Sequence, residues 1–339
     1  MLNKTTRVVD KHLEKIDPKM KWMWGEALFG YALLLLDEYN NETKYKQFIE
    51  DYLDYYLENF PEINSSDTFA PILIVYTYKR LYGGTKYDVL YNACLDYFNN
   101  AEPILDFLPN HLGSNKLAKL YPKSIWVDSI MMYGVFLSYY NKDLAYQTAM
   151  KFKTYLSENG CYVHTYRPKS QKRFKKGIYW GRGNGWVIMA LPMIINNLDN
   201  EEHKKDLTNM LNESIECITK YNKDGLYQTI LNKRSYIETS ASLLINGGII
   251  HAYNLGIVDN LRNSIEGYER VMNEYIKKDK LTKVSYPTIP LHILTTLHYQ
   301  TLPTKSNWSY GLASLIFATM AYDKLKNQMF NEKDYELTN

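Results

Sequence analysis

The chain lacks nearly every feature that announces a metal, a redox couple or a membrane. Its 339 residues hold three cysteines, Cys94, Cys161 and Cys217, odd in number and far apart. No CxxC pair and no Cys/His zinc spacing occurs, so a structural metal has no ligand set. The seven histidines are dispersed, and no HExxH, GxSxG or GxGxxG motif is present. That excludes the usual signatures of zinc proteases, serine hydrolases and dinucleotide binding, and the sequence predicts no cofactor. An excess of one charge is also missing: 40 Lys and Arg stand against 37 Asp and Glu, a net charge of +3. Bulk charge therefore gives no reason to expect nucleic acid as a partner. The longest apolar run, residues 27–36 with interruptions, is far shorter than the roughly 20 residues a membrane span needs. The opening MLNKTTRVVDKHLEK has no apolar secretory region. With the cysteines read as buried, reduced thiols, this predicts a cytoplasmic protein.

A real core is affordable, because 45% of residues are hydrophobic and 23% charged, the balance of a soluble globular chain. Tyrosine is abundant, with 32 residues. An apolar face with a polar tip suits sugar binding, although a Lys/Asn/Tyr-rich composition explains the count as well.

Two kinds of helical segment alternate. Residues 21–39, 68–82, 125–140, 185–197, 239–254 and 307–323 are apolar on nearly all sides. Residues 3–16, 44–58, 86–98, 143–157, 200–221 and 259–277 carry one apolar stripe and a charged face. A helix apolar all round must be buried all round. Six buried helices alternating with six half-buried ones predict an all-α fold, an (α/α)6 barrel with an inner ring wrapped by an outer one. An open solenoid is the competing solution, but it calls for a fixed repeat with a shared consensus, and none is seen. No linker interrupts residues 1–339, so a single domain is expected. Two long insertions, about 99–124 and 158–183, each precede an inner helix, and loops of that length in a compact domain are usually functional.

The inner segments open on indoles and carboxylates: Trp24, Asp67, Trp126 with Asp128, Trp180 with Trp186, Glu238 and Trp308. If the inner helices run parallel, these side chains meet at one end of the barrel. In WGRGNGW (180–186) the glycines leave the backbone bare for close approach of a ligand. Trp180 and Trp186 offer faces to a pyranose, and Arg182 can grip a carboxylate with paired hydrogen bonds. In YPKSIWVDSIMM (121–132) Ser124 is the expected helix cap, which puts Asp128 inside the first turn among apolar residues. Desolvation there would raise its pKa, as a proton donor near neutral pH requires. Asp67 reads equally well as the N-cap of TFAPILIVY, and Glu238 as a cap near Thr239 and Ser240. His164 is a lone loop histidine. The run KSQKRFKK (169–176) is either a solvated loop or an attractor for an anionic substrate.

Taken in order, the Trp24 segment, Asp67, IWVDSIMM, the G-x-Y-x-H segment ending at His164, W-x-R-x-x-x-W, GLYQTIL…IETSAS and the closing W-x-Y-G resemble glycoside hydrolase families 88 and 105, the unsaturated glucuronyl and rhamnogalacturonyl hydrolases. The resemblance covers most of the chain. It implies an (α/α)6 barrel and action on the 4,5-unsaturated uronic acid that polysaccharide lyases leave at a non-reducing end. It also implies that Asp128 is general acid and then base, that Asp67 supports it or holds sugar hydroxyls, and that Trp126, His164, Trp180, Arg182 and Trp186 touch substrate. An unsaturated oligosaccharide is thus the expected partner. Two departures stand out: NKLAKLYP around Leu117 lacks a histidine the families often carry, with His111 lying upstream, and Arg167 replaces a frequent acid. An ordinary inverting glycosidase using Asp67 and Asp128, and a non-catalytic carbohydrate-binding barrel, are the alternatives.

Overall fold

In the computed structural model, residues 1–112, 120–174, 177–291 and 293–337 are described, with 330–337 described by backbone alone. The Leu117 departure lies outside them. Outer α1 (Leu2–Leu13) is followed by inner α2 (Trp24–Asn40) and outer α3 (Lys46–Glu58). The second inner position is a broken helix, α4 (Ser66–Phe69) and α5 (Ile72–Tyr82), and outer α6 (Asp88–Asn100) follows. The break falls at Pro71, which lacks the N–H a continuous helix would need. The third inner helix opens with a two-residue strand β1 (Ile125–Trp126). A π-helical turn (Ile130–Gly134) then runs into α7 (Val135–Tyr140), and outer α8 (Lys142–Leu156) follows.

The second long insertion folds as short strands: β2 (Ser157–Glu158), β3 (Cys161–Tyr162), β4 (Thr165–Arg167) and β5 (Lys172–Arg173). β2 and β3 pair with each other, while β4 sits between β1 and β5 in an antiparallel sheet. Inner α9 (Gly181–Asn197), outer α10 (Glu201–Thr219), inner α11 (Thr239–Asn254) and outer α12 (Ser264–Arg270), the last extended by a π-helical turn, continue the alternation. Strands β6 (Ile276–Lys277), β7 (Lys280–Leu281), β8 (Val284–Ser285), the short α13 (Thr295–Thr301) and β9 (Thr304–Lys305) lead to inner α14 (Ser309–Leu337).

The inner helices close a ring. α2 packs on α5, α4 on the π-turn before α7, that turn on α9, α9 on α11, α11 on α14, and α14 back on α2. A solenoid would leave the first and last helices apart. Burial follows the two classes: α11 is buried at nearly every position, whereas α3 buries only Ile49, Tyr52 and Leu53. One contiguous apolar core draws on all six inner positions. The architecture is the (α/α)6 barrel expected from the sequence.

The thiol expectation does not hold. Cys161 on β3 and Cys217 on α10 form a disulfide, with Cα atoms 5.6 Å apart. β3 lies against α10, a proximity that a separation of 56 residues conceals. Cys94 alone is free and buried, and burial pushes its thiol up. Reduced cysteines therefore no longer argue for a cytoplasmic location. Among the described residues no helix is long and apolar enough to cross a membrane.

Candidate active site

The N-terminal ends of the inner helices gather the predicted side chains into two aromatic groups joined by one guanidinium. The first group surrounds Asp128. Residues 125–126 pair with β4, Ile125 opposite Tyr166 and Trp126 opposite Thr165, and the Val127 N–H donates to the His164 carbonyl at 2.9 Å. The expected helix start is thus displaced. Ser124 caps no helix; its hydroxyl donates to the Pro122 carbonyl and accepts the Trp126 indole N–H at 2.8 Å. Asp128 follows in the turn between strand and π-helix and is only 4% exposed.

His164 Nε2 lies 3.5 Å from Asp128 Oδ2. No closer polar group among the described residues reaches that carboxylate oxygen. On the other side of the ring, His164 Nδ1 meets the Tyr299 hydroxyl at 2.5 Å. Burial pushes the Tyr299 phenol far up, so it stays protonated. Burial also lowers the His164 pKa, against the pull of Asp128. A neutral imidazole that accepts from Tyr299 at Nδ1 must carry its proton on Nε2, facing Asp128.

Asp128 departs from expectation in the same region. Burial would raise its carboxyl, but the His164 N–H and the potential of His164, His111 and Arg182 outweigh it and hold the group below the ordinary value. Asp128 is therefore a carboxylate near neutral pH.

Asp67 is fully buried at the start of α4. It is not the cap: Ser65 takes that position, its N–H donating to Thr68 Oγ1 at 3.2 Å. Asp67 Oδ2 instead accepts the Leu112 N–H at 2.9 Å, and Oδ1 lies 3.3 Å from His111 Nε2. His111 Nδ1 meets Ser66 Oγ at 2.9 Å and Ser129 Oγ at 3.2 Å, and its ring stacks on Trp126 at 4.3 Å. Trp126 in turn meets the His164 ring edge-on at 5.2 Å. Sequence reasoning left His111 and Tyr299 out. The only hint for His111 was a histidine displaced from its usual place, and nothing in the sequence marks Tyr299.

Trp180 caps α9 and stacks on His164 at 4.1 Å. The glycines that follow serve packing, not a ligand. A Cβ on Gly181 would stand 2.2 Å from the Gln228 carbonyl oxygen, and one on Gly183 would stand 2.7 Å from the Trp180 ring. Only bare backbone lets Trp180 fold back over its own helix.

Arg182 is fully buried, and its terminal nitrogens are committed to the protein. Nη1 donates to the Ser285 carbonyl and hydroxyl, and Nη2 to the Tyr286 carbonyl and to Thr288 Oγ1. It also lies 3.6 Å from Glu238 Oε1 and sits over the Trp180 ring at 4.8 Å and the Tyr310 ring at 4.5 Å. The paired grip on a substrate carboxylate is therefore not available from these nitrogens. Glu238 is a strut: it caps α11 through the Ala241 N–H and accepts the Ser285 N–H at 2.9 Å.

The second group lies beyond Arg182. Trp24 stacks on Tyr310 at 4.8 Å, Trp308 stacks on Tyr310 at 5.7 Å, and Tyr286 meets Trp308 edge-on at 5.0 Å. Trp186 joins neither group. It is fully buried in the core one turn beyond Arg182 and makes no ring contact among the described residues. The basic run 169–176 divides as well: Arg173 turns inward to the Ser157 and Thr154 carbonyls, while 175–176 lie outside the described residues. Arg167 stacks over Tyr121 at 4.7 Å, and Tyr121 packs edge-on to Trp126.

Comparison with known proteins agrees with this fold. The family model for Glycosyl Hydrolase Family 88 matches residues 1–326. The unsaturated rhamnogalacturonyl hydrolase YesR of Bacillus subtilis is 23% identical, with 95% of this chain and 96% of that one covered. An unsaturated 3S-rhamnoglycuronyl hydrolase of Formosa agariphila is 26% identical over 56% of this chain and 60% of its own. A solved family 105 glycoside hydrolase from C. acetobutylicum superposes with a TM-score of 0.81 at 22% identity, covering 94% of this chain and 99% of that one. Matched by the family model along residues 1–326 of its closed barrel, this chain belongs to glycosyl hydrolase family 88.

Proposed function

We propose that the chain, as one catalytic domain, releases a 4,5-unsaturated uronic acid from the non-reducing end of a lyase-generated oligosaccharide by hydrating its double bond. The observation that carries this reading is Asp128, a buried carboxylate held below its ordinary pKa by His164, whose Nε2 lies 3.5 Å from Oδ2. The names of the relatives, both hydrolases of unsaturated uronyl saccharides, support it.

Asp128 takes a proton as substrate enters, because a uronate carboxylate brought into the same buried space penalises a second negative charge. It delivers that proton to C4, and the alkene electrons that take it leave C5 as an oxocarbenium ion shared with the ring oxygen. The regenerated carboxylate then removes a proton from water as the water oxygen bonds to C5. The hemiketal so formed opens: the C5–O ring bond breaks, C5 becomes a ketone, and the hemiacetal left at C1 expels the neighbouring sugar. One carboxyl acts twice, so no opposed pair is needed. In this scheme Asp67 orients His111 against Trp126 and leaves the chemistry to Asp128. His164, Trp126 and Trp180 form the wall at the reacting ring, and Trp24 and Trp308 contact sugar further out. Arg182 holds the 285–288 segment and sets the local potential, and Trp186 supports it from the core.

The test is direct. Unsaturated disaccharides absorb in the ultraviolet through their conjugated alkene, and purified protein is expected to abolish that absorbance. Asp128→Asn is expected to lower kcat by at least about 10³-fold while leaving folding intact. Near-normal turnover by that variant removes Asp128 from its role.

A further inference from the structure

The turns that lead from α10 into α11 form a cleft of about 410 Å³ whose charged lining is all of one sign: Lys220, Lys223, Lys233 and Arg234. No acidic side chain lines it, although the whole chain carries a net charge of only +3. All four cations are exposed. Lys220 reaches Glu216, 3.9 Å away; the other three form no ion pair among the described residues. The remaining acids nearby face other groups: Asp224 acts on Arg270 of α12, and Glu158 accepts the Gly177 N–H at 3.0 Å. Tyr221 adds a half-buried ring to the lining, a surface on which the C–H face of a sugar packs. Like Asp128, the cleft lies toward the N-terminal ends of the inner helices, because its turns open α11. Backbone contacts tie it to the reaction site. Ile230 bridges to Trp180, the Leu231 N–H donates to the Tyr179 carbonyl at 2.9 Å, and Trp180 stacks on His164. On another side Gln300 of α13 donates to the Arg234 carbonyl at 2.5 Å, next to the Tyr299 that meets His164.

We propose that this cleft binds the acidic, distal part of a long oligosaccharide whose unsaturated end occupies the Asp128 site. The link to Asp128 rests on the uronyl-hydrolase reading above. A lyase that cuts an acidic polysaccharide leaves further carboxylates or sulfates along the fragment, so a long substrate is a polyanion at one end of which the chemistry happens. Single exposed cations contribute little to binding in water. Four of them with no acid among them set up a positive potential that concentrates a polyanion and speeds its encounter with the protein. That action does not distinguish carboxylate from sulfate. Recognition of a saccharide falls to the Tyr221 ring. A single-stranded nucleic acid is the poorer fit, since it calls for successive aromatic platforms along a basic groove, and the cleft lining has one ring. The cleft thus raises kcat/KM for long acidic substrates and leaves kcat alone, because it touches no reacting atom.

Calorimetry with a saturated hexauronide, which is acidic but has no double bond to react, reads the cleft by itself. The wild type is expected to bind it, and to lose about tenfold in affinity between about 20 and 200 mM salt. The double charge reversal Lys233→Glu with Arg234→Glu is expected to weaken binding at low salt by about tenfold or more, and Tyr221→Ala to weaken it severalfold. Thermal melting confirms that each variant folds. Turnover of an unsaturated disaccharide, too short to reach the cleft, is expected to be the same in the double variant, while kcat/KM for an unsaturated hexauronide falls. No binding of the saturated hexauronide by wild type, binding untouched by the charge reversal, or equal or tighter binding of a single-stranded hexathymidylate would overturn the saccharide cleft and leave the hydrolase reading standing. With the disaccharide cleaved, an unsaturated hexauronide left uncleaved, or cleaved equally well by the double variant, would overturn the link to Asp128. A wild type that turns over neither unsaturated substrate would overturn the hydrolase reading, and the calorimetry would still judge the cleft.

Discussion

At the residue scale, the site works through which buried groups carry protons. The His164 N–H toward Asp128 keeps that carboxyl low. Replacing His164 with Phe removes the donor and leaves burial, so the Asp128 pKa rises. A general acid must be protonated, so the alkaline limb of log kcat/KM is expected to move to higher pH by about one unit. If turnover is too slow to measure, carboxyl titration by NMR reads the same shift; an unmoved titration would show that His164 does not set it. Glu26 is the opposite case. Its folded value, about 7, lies above the unfolded 4.5, so the stability it contributes is full below about pH 4.5 and is lost as pH rises through 7. Glu26→Gln is therefore expected to stabilise the protein by about 2 kcal/mol at pH 8 and by little at pH 4, read from melting at the two values. Glu26 stands in the apolar stretch WGEALF, but the sequence gives no sign of the burial that raises it, which outweighs its own backbone N–H and Lys21.

At the element scale, Arg182 couples α9 to the 285–288 segment through four hydrogen bonds. Arg182→Ala takes a donor from the Ser285 and Tyr286 carbonyls, which keep the Tyr310 and Thr288 hydroxyls, and leaves the buried Glu238 without its nearby cation. It is expected to cost about 3 kcal/mol, seen as a large fall in melting temperature. A variant that melts normally and only binds substrate poorly would restore the carboxylate grip. From the sequence, an arginine beside two tryptophans reads as a ligand contact because its acceptors come from β8 and the turn after it, in a stretch with no regular pattern. The Cys161–Cys217 bridge was hidden for the same reason, since it joins a hairpin to an outer helix. The bridged protein, denatured without reductant, is expected to show one reactive thiol. Cys217→Ser is expected to lose about 2–4 kcal/mol of stability. Three thiols without reductant would mean the pair is open. The helix expected over 125–140 begins late because IWVD is apolar enough for helix or strand, and only β4 decides in favour of a strand.

At the scale of the whole molecule, the barrel was legible because its signal is repeated. Six segments without a polar face alternate with six that have one, and each must find burial accordingly. Ring closure follows from that alternation, and so does the convergence of Trp24, Asp67, Trp126, Asp128, Trp180 and Trp308 at one end. What the pattern does not carry is the division of that end into two aromatic groups, because the divider, Arg182, belongs to neither by sequence. The central claim is that Asp128 protonates an alkene instead of a glycosidic oxygen. Proton NMR of the first turnovers in deuterium oxide tests it most directly. The account predicts one deuterium at C4 of the released uronic acid and loss of its double bond, with no turnover by Asp128→Asn. Release of a uronic acid that keeps its double bond and carries no deuterium at C4 would contradict it.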